Sequence, residues 1–258
     1  MSELFLRSRL LPIAHGFSTR LGGASEGPYA SLNLGFSAGD ARQRVEENFR
    51  RLAAAAGVPA GSFATASQIH GDRVWEVLDV GPRGADLPPS PQGEADALVT
   101  DRPGIAVGVK TADCVPILIA DPQTGRVAAV HSGWRGTVLR IASRAVETLA
   151  ARGSNPARLV AAIGPAIQAC CYEVSDELGA RFAAAFGEDV VSRAHPRPHL
   201  DLARAVRKAL EQSGLAPDRI EVLPHCTSCD SRRFFSHRRD RGVTGRHLSF
   251  VVGGTAFS

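Results

Sequence analysis

The sequence predicts an α+β protein built on mixed sheets, and three observations carry that expectation. Short apolar runs of strand character interleave with segments of helical periodicity along the 258 residues. Several neighbouring strand-like runs are joined by links too short for a crossover helix, so those strands pair antiparallel. One such pair, "VPILIA" and "RVAAVH", is separated only by "DPQTG", whose Pro and Gly suit a hairpin loop. No repeat or low-complexity tract interrupts the chain, and a single domain over 1–258 is expected.

Residues 18–36, "STRLGGASEGPYASLNLGF", read as a long ordered loop rich in Gly, Ser and Asn. Asp40 is placed to cap a helix that ends at Gly57. "RVWEVLDV" (73–80) alternates like a strand, and the Pro- and Gly-rich stretch 81–96 is a surface loop. Strands follow in "DALVT", "GIAVGV", "VPILIA" and "RVAAVH", then a helix from Thr137 to Gly153 and a strand over 158–164. Ser175 opens a helix through Phe186, and Asp201 caps "LARAVRKALEQSG". "RIEVL" (219–223) and "HLSFVV" (247–252) are the last strands.

The composition, 44% hydrophobic and 22% charged, is that of an ordinary globular chain. The net charge of +4 fits an anionic substrate and does not by itself imply nucleic acid. The opening "MSELFLRSRLLPIAHG" is too short and too charged for a signal peptide or a membrane span, so a cytoplasmic location is expected. There, five cysteines read as thiols or metal ligands rather than disulfides.

Cys114 precedes "VPILIA" and His131 closes "RVAAVH", so an antiparallel hairpin brings both to its open end. Opposed Cβ atoms there lie roughly 5 Å apart, close enough to share a metal. If Ala120 pairs with Arg126, Cys114 points to the face opposite His131; a bulge or a one-residue shift corrects this. His70, before a glycine at the start of a strand, is the candidate third ligand. A His-Cys-His set with an open position matches a catalytic zinc site. Against this, a histidine at a strand end is usually only hydrogen-bonded, and a buried cysteine usually only a small hydrophobe. The flanking "SGWRG" favours the metal, because glycines let backbone approach closely and Arg135 can clamp an anion.

The segments "QIHG", "EADALVT", "TADCVPILI", "AVHSGWRG", "GPAIQACCYEV", "CTSCDSRRFFSHRRD" and "TGRHLSFV" occur in this order, after "STRLGGASEGPYASLNLG". Together they resemble the laccase-domain family, also labelled polyphenol oxidase or peptidoglycan editing factor and viewed as zinc-dependent purine nucleoside phosphorylases. The resemblance covers roughly residues 15 to 255. It implies zinc held by His70, Cys114 and His131. It implies phosphorolysis of adenosine, inosine, guanosine and methylthioadenosine, with deamination of adenosine. It also implies a layered α-β-β-α sandwich like that of a class of cysteine hydrolases. One departure is Ala166, where many relatives carry Cys. For this chemistry Arg135 is the candidate phosphate clamp. Asp113 is a candidate orienter or proton carrier beside the metal cysteine. Arg20 and Asn33 of the early loop are expected to close over substrate, and Gln68 and Cys171 complete the substrate-binding candidates. The expected partners are a purine nucleoside and phosphate, with neither nucleic acid nor membrane, on a monomer.

Other readings compete. A multicopper oxidase needs His-x-His pairs, which are absent among the eight histidines, and the only methionine is Met1, so copper would bind only adventitiously. Cys226 and Cys229, with His225 and His237 nearby, offer a second, structural zinc site. Cys171 ahead of a helix start, or Cys114, with a histidine, supports a cysteine hydrolase acting on a small amide or cell-wall precursor. The basic stretch 231–246 offers Arg238, Arg239 and Arg246 to a phosphate or an acidic neighbour, but it is one short cluster rather than a nucleic-acid face.

Overall fold

The computed structural model describes residues 4–80, 91 and 93–254. In chain order the elements are β1 (Phe5–Leu6), β2 (His15–Ser18), α1 (Arg42–Ala56), β3 (Phe63–Ala64), β4 (Val74–Glu76), β5 (Ala97–Thr100), β6 (Ala106–Thr111), β7 (Val115–Ala120) and β8 (Val127–Ser132). Then come α2 (Trp134–Val138), α3 (Ile141–Ala151), β9 (Val160–Ile163), α4 (Asp176–Phe186), β10 (Val191–Ser192), β11 (His199–Leu200), α5 (Leu202–Gln212), β12 (Ile220–Val222) and β13 (His247–Val252).

Two mixed sheets result. One runs β1-β2-β13-β6-β3 and the other β12-β9-β7-β8-β5-β4, with β10 and β11 forming a separate ribbon. The pairs β3/β6, β4/β5 and β9/β12 are parallel, and the remaining pairs are antiparallel.

The period-2 alternation of strands separates the apolar side chains into layers. Along β7, Ile117 and Ile119 face the helices while Leu118 and Ala120 face the other sheet. Phe17, Val107, Val109 and Val251 meet Leu118, Ala129 and Ala162 between the sheets. Helices α3, α4 and α5 cover the outer face of the six-stranded sheet. On the far side, Val45, Phe49 and Leu52 of α1 pack on Phe63, Leu248 and Phe250. Each such burial contributes roughly 1.5–3 kcal/mol. The order is therefore α-β-β-α, the expected layered α+β sandwich.

Several expectations need correction. Asp40 does not cap α1: Ala41 is the N-cap, and the Asp40 carboxylate instead accepts hydrogen bonds from Ser25 Oγ, Asn33 Nδ2 and the Ala41 N–H. The helix expected over 137–153 begins earlier, at Trp134, and breaks where Arg140 takes a left-handed backbone (φ 64°). The strand over 73–80 keeps its ladder only through Glu76. Strands β1, β2 and β3 were not expected. β2 is buried on both faces, which removes the alternation that marks a strand. Gly57 does end α1 in the left-handed region, and Ser175 and Asp201 cap α4 and α5 by accepting from the N–H groups of Leu178 and Arg204. Of the loop expected over 81–96, residues 81–90 and 92 lie outside the described residues.

Candidate metal centre and its cleft

The β7/β8 hairpin pairs Ala120 with Val127, Pro116 with His131 and Val115 with Ser132. This is one residue away from the Ala120–Arg126 register. The shift decides the chemistry: carried one step further, Cys114 stands opposite Gly133, so Cys114 and His131 share a face. His70 enters from the loop before β4 with a left-handed backbone (φ 60°). Its Nε2 lies 4.0 Å from the Cys114 sulfur, and its ring meets that of His131 edge-on at 4.8 Å between centroids. One donor atom from each of His70, Cys114 and His131 lies within 4.8 Å of the others. Gly133 leaves the space they need, since a Cβ there would stand 3.0 Å from Cys114 Sγ and 3.1 Å from His70 Cδ2.

Asp96 holds the arrangement from beneath. It is fully buried just ahead of β5. Its Oδ1 accepts from His131 Nδ1 at 2.8 Å and from the His70 N–H at 2.9 Å. Its Oδ2 accepts from the N–H groups of Gly71 (2.7 Å) and Ile69 (3.2 Å), and its carbonyl accepts from the His131 N–H at 2.7 Å. One carboxylate thus sets the backbone of one histidine and the tautomer of the other, leaving His131 Nε2 as the nitrogen free to coordinate. The sequence reading missed Asp96, although it stands inside the quoted "EADALVT".

The electrostatics pair a thiolate with an imidazolium, whose proton a bound metal would displace. Burial opposes ionisation of Cys114, but the charge of His131 and hydrogen bonds from His131 and His70 outweigh it and draw the thiol down to about 6. Burial likewise opposes a charged His131, but Cys114 and Asp96 outweigh it and raise that imidazole to about 9. Each partner favours the charged form of the other, so the sulfur is already a thiolate-type donor. A thiolate, two imidazoles and one side open to solvent through the exposed His70 form a donor set that fits a three-ligand metal site.

The trio lies in the wall of a cleft of about 830 Å³. Gln68, Lys110, Asp113, Arg135, Arg238 and Arg246 line it too. Gln68 is held by a reciprocal pair with the Lys110 backbone, at 2.7 and 2.8 Å. Lys110 has no carboxylate partner among the described residues, and burial lowers its pKa. Arg135 is exposed, with its guanidinium 5.1 Å over the Trp134 ring. Tyr172 also lines the cleft, under Arg238, and burial first, with Cys114 second, pushes its phenol up to about 12.

Four sequence candidates are placed otherwise. Arg20 does not line the cleft: its Nε donates to Ala30 O, its Nη1 to Ser231 O, and its guanidinium stacks 4.6 Å over Phe235. Asn33 is fully buried and bonds Asp40, the Gly35 N–H and the Arg246 N–H. Both are loop pins, and the loop reaches the cleft through Phe36 and by positioning Arg246. Both oxygens of Asp113 are engaged, accepting from Thr227 Oγ1 and the Arg238 N–H at 2.6 Å each. Asp113 therefore anchors the far wall to the metal strand. Cys171 does not line the cleft; it sits with Cys170, Cys226 and Cys229. In the basic stretch, Arg239 pairs with Asp240, while Arg238, Arg246 and His237 reach the cleft.

A family model described as multi-copper polyphenol oxidoreductase laccase matches residues 14–253. The purine nucleoside phosphorylase of Deinococcus radiodurans is 44% identical over 247 residues, 95% of this chain and 91% of that protein. The crystal structure of Bacillus licheniformis hypothetical protein YfiH superposes with a TM-score of 0.87 at 37% identity, covering 93% of this chain and 92% of that one. That of YlmD from Geobacillus stearothermophilus gives 0.85 at 36%, covering 97% and 98%.

Proposed function

The chain belongs to the family described as multi-copper polyphenol oxidoreductase laccase, and from that premise we propose that it is a zinc-dependent purine nucleoside phosphorylase on a single domain. One juxtaposition supports the reading. The His70–Cys114–His131 trio shares its cleft with the cations of Lys110, Arg135, Arg238 and Arg246. The cleft's volume falls in the range of small-molecule sites, enough for a nucleoside and a phosphate.

In phosphorolysis a phosphate oxygen bonds to C1′ as the bond from C1′ to the base nitrogen breaks. The bonding pair leaves with the purine, which takes up a proton. A zinc ion held by His70, Cys114 and His131 would supply Lewis-acid polarisation of an oxygen ligand. Arg135, exposed and free to reorient, presents the fork that matches phosphate oxygens. Lys110 adds a cation deeper in the cleft with no acidic neighbour to neutralise it among the described residues. Arg246 and Arg238 complete a positive rim that holds the phosphate anion and stabilises negative charge developing on the leaving base. Asp113 holds the Arg238 backbone and the Thr227 turn in place, with each oxygen accepting one hydrogen bond. Adenosine, inosine, guanosine and methylthioadenosine are the proposed substrates, with deamination of adenosine as a side reaction in the same cleft.

The test is a product assay on zinc-loaded protein given adenosine with and without phosphate. Adenine and ribose 1-phosphate are expected only with phosphate, with some inosine. Arg135→Ala should lower kcat/KM for phosphorolysis by about 10²–10³-fold, the usual loss of one oxyanion-stabilising donor. No base release and no inosine from metal-loaded protein would overturn the assignment.

A further inference from the structure

We propose that Cys170, Cys171, Cys226 and Cys229 form a second, structural zinc site that braces the wall of the cleft. The four sulfurs come from two loops far apart in sequence, one after β9 and one after β12, yet all lie within 4.8 Å of one another. Cys229 Sγ stands 3.3 Å from Cys171 Sγ and 3.4 Å from Cys170 Sγ. It is shared between two sulfurs rather than paired with one, which describes a tetrad and not a disulfide. Four thiolates at about 2.3 Å from one zinc place their sulfurs about 3.8 Å apart, close to the observed spacing.

The surroundings are built for thiolates. Cys226 and Cys229 are the ends of a C-x-x-C turn, and the Gln168 N–H points at Cys226 Sγ from 3.5 Å. Arg239 Nη1 donates to the carbonyls of Thr227 and Ser228 inside that turn, at 2.8 and 3.3 Å.

The two loops also meet through backbone pairing, in which the Ala166 N–H donates to His225 O and the Thr227 N–H to Ala166 O, and through Arg238, which donates to Glu173 O and lies over Tyr172. They also deliver Ile167, Tyr172, His237 and Arg238 to the cleft. A metal knot at this point fixes that wall.

The site does not depend on the proposed reaction, and metal counting separates the two. Elemental analysis and native mass spectrometry of the full chain should give two zincs for the wild type and one for His131→Ala. Cobalt in His131→Ala should give the thiolate charge-transfer absorption of a sulfur-rich tetrahedral centre. Cys226→Ser/Cys229→Ser should lose one zinc and keep the other. Should that variant not fold, thiol alkylation of His131→Ala decides: the tetrad should resist a maleimide until a chelator is added. Four freely alkylated cysteines in zinc-supplemented His131→Ala would overturn the proposal. So would a mass lowered by the hydrogens of a disulfide linking members of the tetrad.

Discussion

Replacing Asp96 by Asn tests the metal centre at its hidden support. The side chain is fully buried and accepts four hydrogen bonds, three from backbone N–H groups at 2.7, 2.9 and 3.2 Å and one from His131 Nδ1. An amide keeps one oxygen and turns an NH2 toward donors on the other side. At least one N–H is left without an acceptor, and either that or a reversed contact with His131 follows. Each buried unsatisfied group costs about 1–3 kcal/mol, so the fold should lose about 2–4 kcal/mol. In a chain of this length that is a fall in Tm of about 4–16 °C. His131 also loses the acceptor that fixes its Nε2 as the free nitrogen, so zinc affinity at the trio should fall about 10–100-fold. Chelator competition monitored on the apo and metal-loaded protein, with calorimetric Tm, reads both. An Asp96→Asn protein with wild-type zinc affinity would refute the argument that this carboxylate orients the ligands, even if its Tm fell.

Two further outcomes follow from packing and burial. Gly133→Ala should weaken zinc binding roughly tenfold or more, because the new methyl crowds Cys114 Sγ and His70 Cδ2; the φ of −77° carries no strain, so undiminished affinity would show that the trio can move aside. His247 is buried in β13, its Nε2 accepts from the Phe235 N–H at 2.8 Å, and burial pushes its pKa down to about 3. Between about pH 6.5 and 3 the unfolded chain binds a proton that the fold refuses, so stability rises with pH across that window and is lost on acidification. From pH 7.5 to 5 the loss should be about 2 kcal/mol. Denaturant titrations of His247→Gln, which keeps an oxygen acceptor, should show that much less acid sensitivity; an unchanged pH slope would count against the buried neutral imidazole.

What could be read in the sequence was what depends on local pattern. The short apolar runs "VPILIA" and "HLSFVV" and the caps at Ser175 and Asp201 mark their elements without help from the rest of the chain. The convergence of Cys114 and His131 was legible because a hairpin is itself local, but its register was not. A one-residue slip leaves the apolar pattern of alternating, doubly buried strands nearly unchanged, and only the whole sheet decides it. Polar residues of the early loop misled for a related reason. Arg20 and Asn33 look like ligand groups until the fold brings Ala30, Asp40, Phe235 and the Arg246 backbone against them. Asp96 was hidden by the same logic, since an acid ahead of a strand reads as a turn residue until two histidine-bearing loops converge on it. The cysteine tetrad joins "CC" to "CTSC", each an incomplete half-site alone.

The family's description names a multicopper laccase, and the histidines allow that chemistry to be weighed residue by residue. A multicopper laccase, which reduces oxygen to water, needs a multinuclear cluster fed by an electron-transfer copper. Of the eight histidines, His15 accepts from the Ser8 N–H and contacts Ile13 O, and His247 accepts from the Phe235 N–H, both deep in the fold. His195 and His199 stack on each other, with His199 bound to Ala169 O, and His225 lies against Phe234 and Arg233. That leaves His70 and His131 at the centre and His237 on the opposite wall of the cleft. Three histidines supply one mononuclear site and no cluster. Among its described lining residues the cleft around that site carries five cations, Arg42, Lys110, Arg135, Arg238 and Arg246, and one carboxylate, Asp113. A phenol needs no such field, whereas an attacking phosphate does. The charge of the cleft and the single donor trio therefore favour group transfer to phosphate over electron transfer to oxygen.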